Sequence, residues 1–286
     1  MSAKMPPGRP IMAMRGKLFR EYLTQPLHIT LLAGLVQLFG TFRQKVAFDL
    51  VRRRQTAYGL LQAADWAKEL GLEAITAIEV GVASGAGLWN LITVGERVTR
   101  ETGVRIEVVG FDSGTGLPPP VDHRDHPEVW QGGDFPMGDA EALRRALPEG
   151  ARLILGDVAE TVPRFRDELR AEAPVGYVMV DVDYYSSTKA CLPLLLGPPE
   201  VYLPVTIVYF DDIGGFPGAN DWCGERLAIR EFNDEHPLRK IQRDEHLRYR
   251  RIYKDSDWIE RIYHLHVLDH PIRQGTRRIA RPAYTA

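Results

Sequence analysis

Five acidic positions at the ends of apolar runs carry most of the chemistry legible in this chain of 286 residues. Glu79, Asp112 and Asp157 come singly, while Asp181 with Asp183 and Asp211 with Asp212 come in pairs. One acid after an apolar run is ordinary turn or helix-capping chemistry. Five in succession are not explained that way. The first lies in AIEVGVASGAGLWNLI, Ala77 to Ile92, where Glu79 is followed by Gly81, Gly85 and Gly87. Glycines in such a turn let the backbone approach a ligand closely. Their spacing, G-x-x-x-G-x-G behind an acid, departs from the G-x-G-x-x-G of dinucleotide folds. A pyrophosphate would meet no useful acid there, whereas a ligand carrying an ammonium and a sulfonium would. Four carboxylates gathered where two adjacent strands end repel strongly unless protons or a cation offset them. An all-oxygen set favours a hard ion such as Mg²⁺, Ca²⁺ or Mn²⁺ over zinc.

Hydrophobic periodicity gives the elements that must position these residues. Strands are expected at Ile75 to Val80, Arg105 to Phe111, Ala151 to Leu155, Val175 to Val182, Val205 to Phe210 and Arg261 to Leu268. Between them, helices are expected after Gly85, with Leu88, Leu91, Ile92 and Val98 on one face, and at Ala140 to Ala146, Thr161 to Ala171 and Gly224 to Glu235. Strand and helix alternating in this way imply an α/β protein with a doubly wound, mostly parallel sheet, helices covering both faces. In such a sheet ligands bind outside the carboxyl ends of the strands, where the acids fall. From about Leu18 to Leu70 the chain reads helical, with Ala57, Leu60, Leu61, Ala64 and Ala67 as an apolar stripe and Gly71 as the stop. The expected organisation is an N-terminal helical extension over residues 1–55, one ligand-binding domain over 56–270 and a tail over 271–286.

Composition narrows the partners. A net charge of −2 gives no footprint for nucleic acid. The short clusters Arg52, Arg53, Arg54 and Arg277, Arg278, Arg281 read as solvated faces. The two cysteines, Cys191 and Cys223, have no metal-type spacing and fit a reducing, cytoplasmic setting. The apolar segment Ile29 to Phe42, at 14 residues, is short of the ~20 that span a bilayer, and it does not have the form of a signal peptide. A buried or interfacial helix is expected there. Residues 15–55 would cover the acceptor side of the site or form a contact in a homo-oligomer.

Taken together, EVGVASGAG (Glu79 to Gly87), FDSGTGLP (Phe111 to Pro118), GDVAETVP (Gly156 to Pro163), DVDYYSST (Asp181 to Thr188) and FDDIGGFPG (Phe210 to Gly218) resemble the class I S-adenosylmethionine-dependent methyltransferases. The macrocin-type O-methyltransferases of natural-product hydroxyls are the most similar group. The resemblance covers roughly Ala57 to Leu268. It implies a Rossmann-like sheet of seven strands whose last strand is antiparallel, with S-adenosylmethionine as cofactor and a small-molecule hydroxyl as acceptor. Glu79, Gly81 and Gly85 would then line the methionine part, Asp112 would take the ribose hydroxyls, and Asp157 would meet the adenine amino group with Val158 against the ring. Asp181, Asp211 and Asp212 would hold a divalent cation, Mg²⁺ foremost, and Asp183 would be the base. The chain has Val182, Ser186 and Ile213 where that pattern usually has Gly, Glu and Tyr.

The loop Pro118 to Pro136 is polar and aromatic, with His123, His126, Arg124, Asp122, Asp125 and Trp130. It reads either as a polar turn or as a lid over the acceptor, in which case His123 or His126 is an alternative base. Tyr184 and Tyr185 read as packing residues, and the helix from Gly224 as core without a catalytic role. Two other readings compete: a nicotinamide-dependent oxidoreductase, disfavoured by the glycine spacing, and a cofactor-binding protein without catalysis.

Overall fold

The computed structural model describes residues 26–216 and 218–275. Arg277, Arg278 and Arg281, together with the first 25 residues of the expected extension, lie outside the described residues. Seven strands form one sheet: β1 (Ala74–Val80), β2 (Arg105–Asp112), β3 (Ala151–Leu155), β4 (Val175–Val180), β5 (Tyr202–Phe210), β6 (Arg239–Arg243) and β7 (Ile262–Val267). Their order across the sheet is β3-β2-β1-β4-β5-β7-β6. β1 to β5 run parallel, and β7 lies antiparallel to both β5 and β6. The chain winds outward from β1 to β3, then returns to start again at β4 beside β1. That reversal is the switch point at which open α/β sheets leave a crevice.

Period-two alternation explains how the strands are buried on both faces. Ile75, Ala77, Tyr177, Met179, Ile207 and Tyr209 belong to one core cluster, and Ile78, Val80, Val178, Val180, Val208 and Phe210 to the other. Helices α1 (Leu27–Phe39), α2 (Phe42–Ala47) and α3 (Arg54–Leu70) precede the sheet, and α4 (Ala86–Thr102) follows β1. The α3 stripe and the α4 positions Leu88, Leu91, Ile92 and Val98 are buried in the first cluster. Gly71 ends α3 in the left-handed conformation at φ 78°, the usual helix stop. On the other face, α6 (Val158–Arg166), α7 (Tyr185–Cys191) and α8 (Gly224–Glu235) contribute Val162, Phe165, Tyr185, Cys191, Leu227 and Phe232. A short α5 (Ala140–Ala146) stands before β3.

One expectation needs correction, and two features go beyond what the sequence specified. α6 starts at Val158, not Thr161, because Asp157 Oδ1 accepts from Ala159 N at 2.8 Å and caps the helix directly behind β3. The edge strand RKIQR at Arg239–Arg243 carries one apolar side chain, Ile241, and has no alternating apolar signature to read. The N-terminal apolar segment is not buried in the protomer: among the described residues of α1 only Ala33 is buried, while Leu38 and Phe39 are 72% and 82% exposed.

The segment before α3 is tied to the far end of the chain by a buried charge cluster. Arg251 donates to Asp49 Oδ1 at 2.5 Å and to the carbonyls of Val46 and Ala47 at 2.7 and 3.1 Å. Its guanidinium lies over the rings of Tyr58 and Trp258, at 5.3 and 5.1 Å from their centroids. Arg54 stands 3.7 Å from Asp49 Oδ2 and donates to Ser256 Oγ at 2.9 Å. Burial pushes the Asp49 carboxyl upward, and Arg251 is the largest opposing influence. Arg251→Leu is therefore expected to destabilise the protein by about 3–5 kcal/mol, the usual result of stranding one partner of a buried pair. Urea unfolding followed by circular dichroism measures it.

Candidate active site

At the carboxyl edge of β1 to β5 lies a cavity of about 630 Å³, within the range of small-molecule sites. Its walls come from each strand end in turn. β1, β4 and β5 each pass the amide after their last residue to a neighbour's carbonyl. Gly81 N donates to Phe111 O, Asp181 N to Val80 O and Asp211 N to Val180 O, at 2.9, 2.9 and 3.0 Å. Parallel register thereby sets Glu79, Asp112, Asp157, Asp181, Asp183, Asp211 and Asp212 around one space.

Glu79 is buried, and its Oε2 has no hydrogen-bond partner. Burial pushes its carboxyl up to about 8; Arg53 opposes the shift and Asp112 adds to it. Gly87, in the first turn of α4, makes room for this side chain, since a Cβ there would overlap Glu79 Oε1. Gly81 lines the same wall at φ 91°, a conformation that favours glycine. Gly85 caps α4 with its Cβ position facing Leu143, and it does not line the cavity. Asp112 Oδ2 accepts from Val82 N and Ala83 N, both at 2.8 Å, and Oδ1 accepts from Gly114 N at 2.7 Å. The side chain expected to hold a ligand thus also holds the glycine turn in shape. Asp157 and Val158 line the cavity, with Asp157 Oδ1 engaged as the α6 cap.

Asp181, Asp211 and Asp212 each present a carboxylate oxygen, and these oxygens lie within 4.8 Å of one another. Desolvation, then repulsion from Asp211 and Asp212, raises the Asp181 carboxyl well above its ordinary range. Asp212 is raised in the same way, with Asp183 its largest repelling neighbour. Supporting groups fix this end. Tyr209 OH donates to Asp211 Oδ1 at 2.8 Å, Arg261 bonds Asp211 through its Oδ1 and carbonyl, and buried Glu225 accepts from Asp212 N at 2.9 Å. Asp183 N donates to Asp212 Oδ2 at 3.2 Å. The Asp183 backbone sits at φ 59°, the sparsely populated region where functional sites hold residues against local preference.

The loop Pro118 to Pro136 sends Trp130 and Phe135 into the cavity, but not His123 or His126. His123 is exposed, and His126 is buried with Nδ1 2.9 Å from Glu128 Oε1 and its ring edge-on to Phe216. The loop is latched in place. Buried Asp125 accepts from Val121 N at 2.8 Å, Ser186 N at 2.8 Å and Ser186 Oγ at 2.9 Å. Arg124 donates to Tyr185 OH, whose hydroxyl donates in turn to Glu231. Tyr184 and Tyr185 are both buried. Ser186 thus serves as the loop's anchor. Two groups were missed in sequence. Glu225 gave no signal beyond its place at the start of a helix, and Arg53 was taken for a solvated residue although it lines the cavity.

No family model matches this chain, and no curated protein matches it in sequence. Among solved structures, the calicheamicin methyltransferase CalS11 aligns with 92% of this chain and 94% of its own, at 22% identity and a TM-score of 0.50. The O-methyltransferase NovP aligns with 74% of this chain and 79% of its own, at 16% identity and a TM-score of 0.49. The likeness to CalS11 shows the fold, a Rossmann-like α/β sheet.

Asp125→Ala would leave two backbone amides and a hydroxyl without their acceptor. A loss of about 1–3 kcal/mol is expected, together with faster cleavage within residues 118–136 by limited proteolysis.

Proposed function

We propose that this chain is an S-adenosylmethionine-dependent O-methyltransferase acting on a hydroxyl of a small molecule, a sugar or another natural-product intermediate, with help from a divalent cation. The observation that carries the reading is the meeting, in one cavity, of an unpartnered buried Glu79 oxygen and the three-carboxylate cluster. CalS11 and NovP, by name a calicheamicin methyltransferase and an O-methyltransferase, lend it a parallel on a similar sheet. The residues present fit both groups. Glu79, with space opened by Gly87, suits an ammonium, and Asp157 and Val158 suit an adenine edge and face. The oxygen-only set Asp181, Asp211 and Asp212 suits a hard cation such as Mg²⁺.

When bound, S-adenosylmethionine supplies a methyl group on a positively charged sulfur, and a divalent cation supplies charge that favours the ionised form of a hydroxyl. The protein's part is positioning and proton transfer. Glu79, Asp157 and Val158 would hold the methyl donor, and Asp181, Asp211 and Asp212 the cation, around one cavity that also admits the acceptor hydroxyl. Holding the two reactants in line supplies much of the rate. Asp183, which lines the cavity beside Asp212, receives the hydroxyl proton. Trp130, Phe135, Leu117 and Pro118 exclude water from one wall. His123 and His126 do not reach this space, so Asp183 is the base we assign.

Methyl transfer from labelled S-adenosylmethionine is expected to vanish in chelator and return with Mg²⁺. Asp211→Asn is expected to lower turnover by 100-fold or more, on the order of a lost charge-stabilising group, with S-adenosylhomocysteine binding retained by calorimetry. Full activity in chelator would falsify the metal role.

A further inference from the structure

Arg53 is the one cationic side chain among the described residues that line the cavity, where it faces seven acids: Glu79, Asp112, Asp157, Asp181, Asp183, Asp211 and Asp212. Arg53 is thus the one side chain of this lining that offers an anionic group of a ligand an opposite charge. The guanidinium is near enough to be the main favourable charge felt by Glu79. Yet the two make no direct ion pair within 4.0 Å, and Arg53 forms no side-chain hydrogen bond with a described residue. Glu79 Oε2 is likewise without a partner. A buried carboxylate and a guanidinium that share a cavity without closing on each other leave a gap suited to a ligand carrying both charges.

The backbone points the same way. Arg53 stands at φ 48° and ψ 71°, the left-handed region, immediately before α3. This conformation is held from both sides: Arg53 O accepts from Thr56 N and Ala57 N at 3.1 and 3.2 Å, while Asp49, Arg54 and Arg251 anchor the flanking residues. Strain of this kind persists where the surroundings over-determine it, and it clusters at ligand clamps. Two amides of the neighbouring turn, Val82 N and Ala83 N, are already given to Asp112.

We infer that Arg53 and Glu79 form a zwitterion clamp, in which the Arg53 guanidinium takes the α-carboxylate and Glu79 the α-ammonium of the cofactor's amino-acid tail. The inference rests on the proposed cofactor. A guanidinium would also accept a phosphate of an acceptor; the adjacent Glu79 favours the amino-acid tail, and the choice of probes separates the two.

Calorimetric titration of the full chain with S-adenosylhomocysteine and with 5′-methylthioadenosine, which lacks the amino-acid tail, tests it. Arg53→Asn keeps a residue type tolerant of the left-handed backbone. The variant is expected to bind S-adenosylhomocysteine at least tenfold more weakly, the order of a lost charge-assisted bond, and 5′-methylthioadenosine as well as the parent does. Arg53→Lys is expected to fall between. Unchanged S-adenosylhomocysteine affinity in Arg53→Asn, or equal losses for both probes, overturns the clamp while leaving the cofactor reading standing. A parent that binds neither probe overturns the cofactor reading and the clamp with it.

Discussion

The parallel register at the carboxyl edge is the constraint on which the rest of this site depends. Val80 pairs with Phe111 and with Val180, and Val180 pairs with Phe210. The residues that follow, Gly81, Asp181 and Asp211, bond across the same rungs and so emerge side by side. Because side chains alternate along a strand, a slip of one residue at any of these pairings would turn the apolar sets to the wrong face. The two core clusters therefore enforce the register, and the register places the carboxylates. Core packing and site geometry are one specification here.

Charge is distributed to suit. Carboxylates dominate the cavity wall: Arg261 and Tyr209 steady Asp211 from behind, and buried Glu225 holds the backbone amide of Asp212. Glu225 is itself pushed well upward by burial and by Asp212. This arrangement keeps carboxylate oxygens of Asp181, Asp211 and Asp212 within 4.8 Å of one another. The loop from Pro118 forms one side of the cavity, and Asp125 ties it to the first turn of α7.

Much of this was legible in sequence because strand cores and acids are local signals. The apolar runs before Glu79, Asp112, Asp157, Asp181 and Asp211 announced both the strands and what stands at their ends. Boundaries were less legible where a side chain decides them, as with the Asp157 cap that starts α6 three residues early. β6 was invisible because an edge strand needs only one apolar residue facing inward, and Ile241 supplies it. Arg53, His126 and Glu225 were misjudged or passed over for a common reason. Whether a charged residue faces solvent, a core or a cavity depends on elements distant in sequence: Arg53 is aimed by contacts near Arg251, and His126 is covered by Phe216.

The winding of the sheet also divides the site along the chain. Glu79, Asp112 and Asp157 belong to the half that ends with β3, and Asp181, Asp183, Asp211 and Asp212 to the half that begins with β4. The halves meet along the β1–β4 pairing, from Thr76 beside Val175 to Val80 beside Val180. Pairing across so long a stretch of chain is slow compared with local hairpins such as β6–β7. A polypeptide halted after β3, during synthesis or by cleavage, would carry Glu79, Asp112 and Asp157 and none of the carboxylate cluster. On the proposed function, recognition and chemistry would be inherited from separate stretches of chain, joined at the seam between β1 and β4.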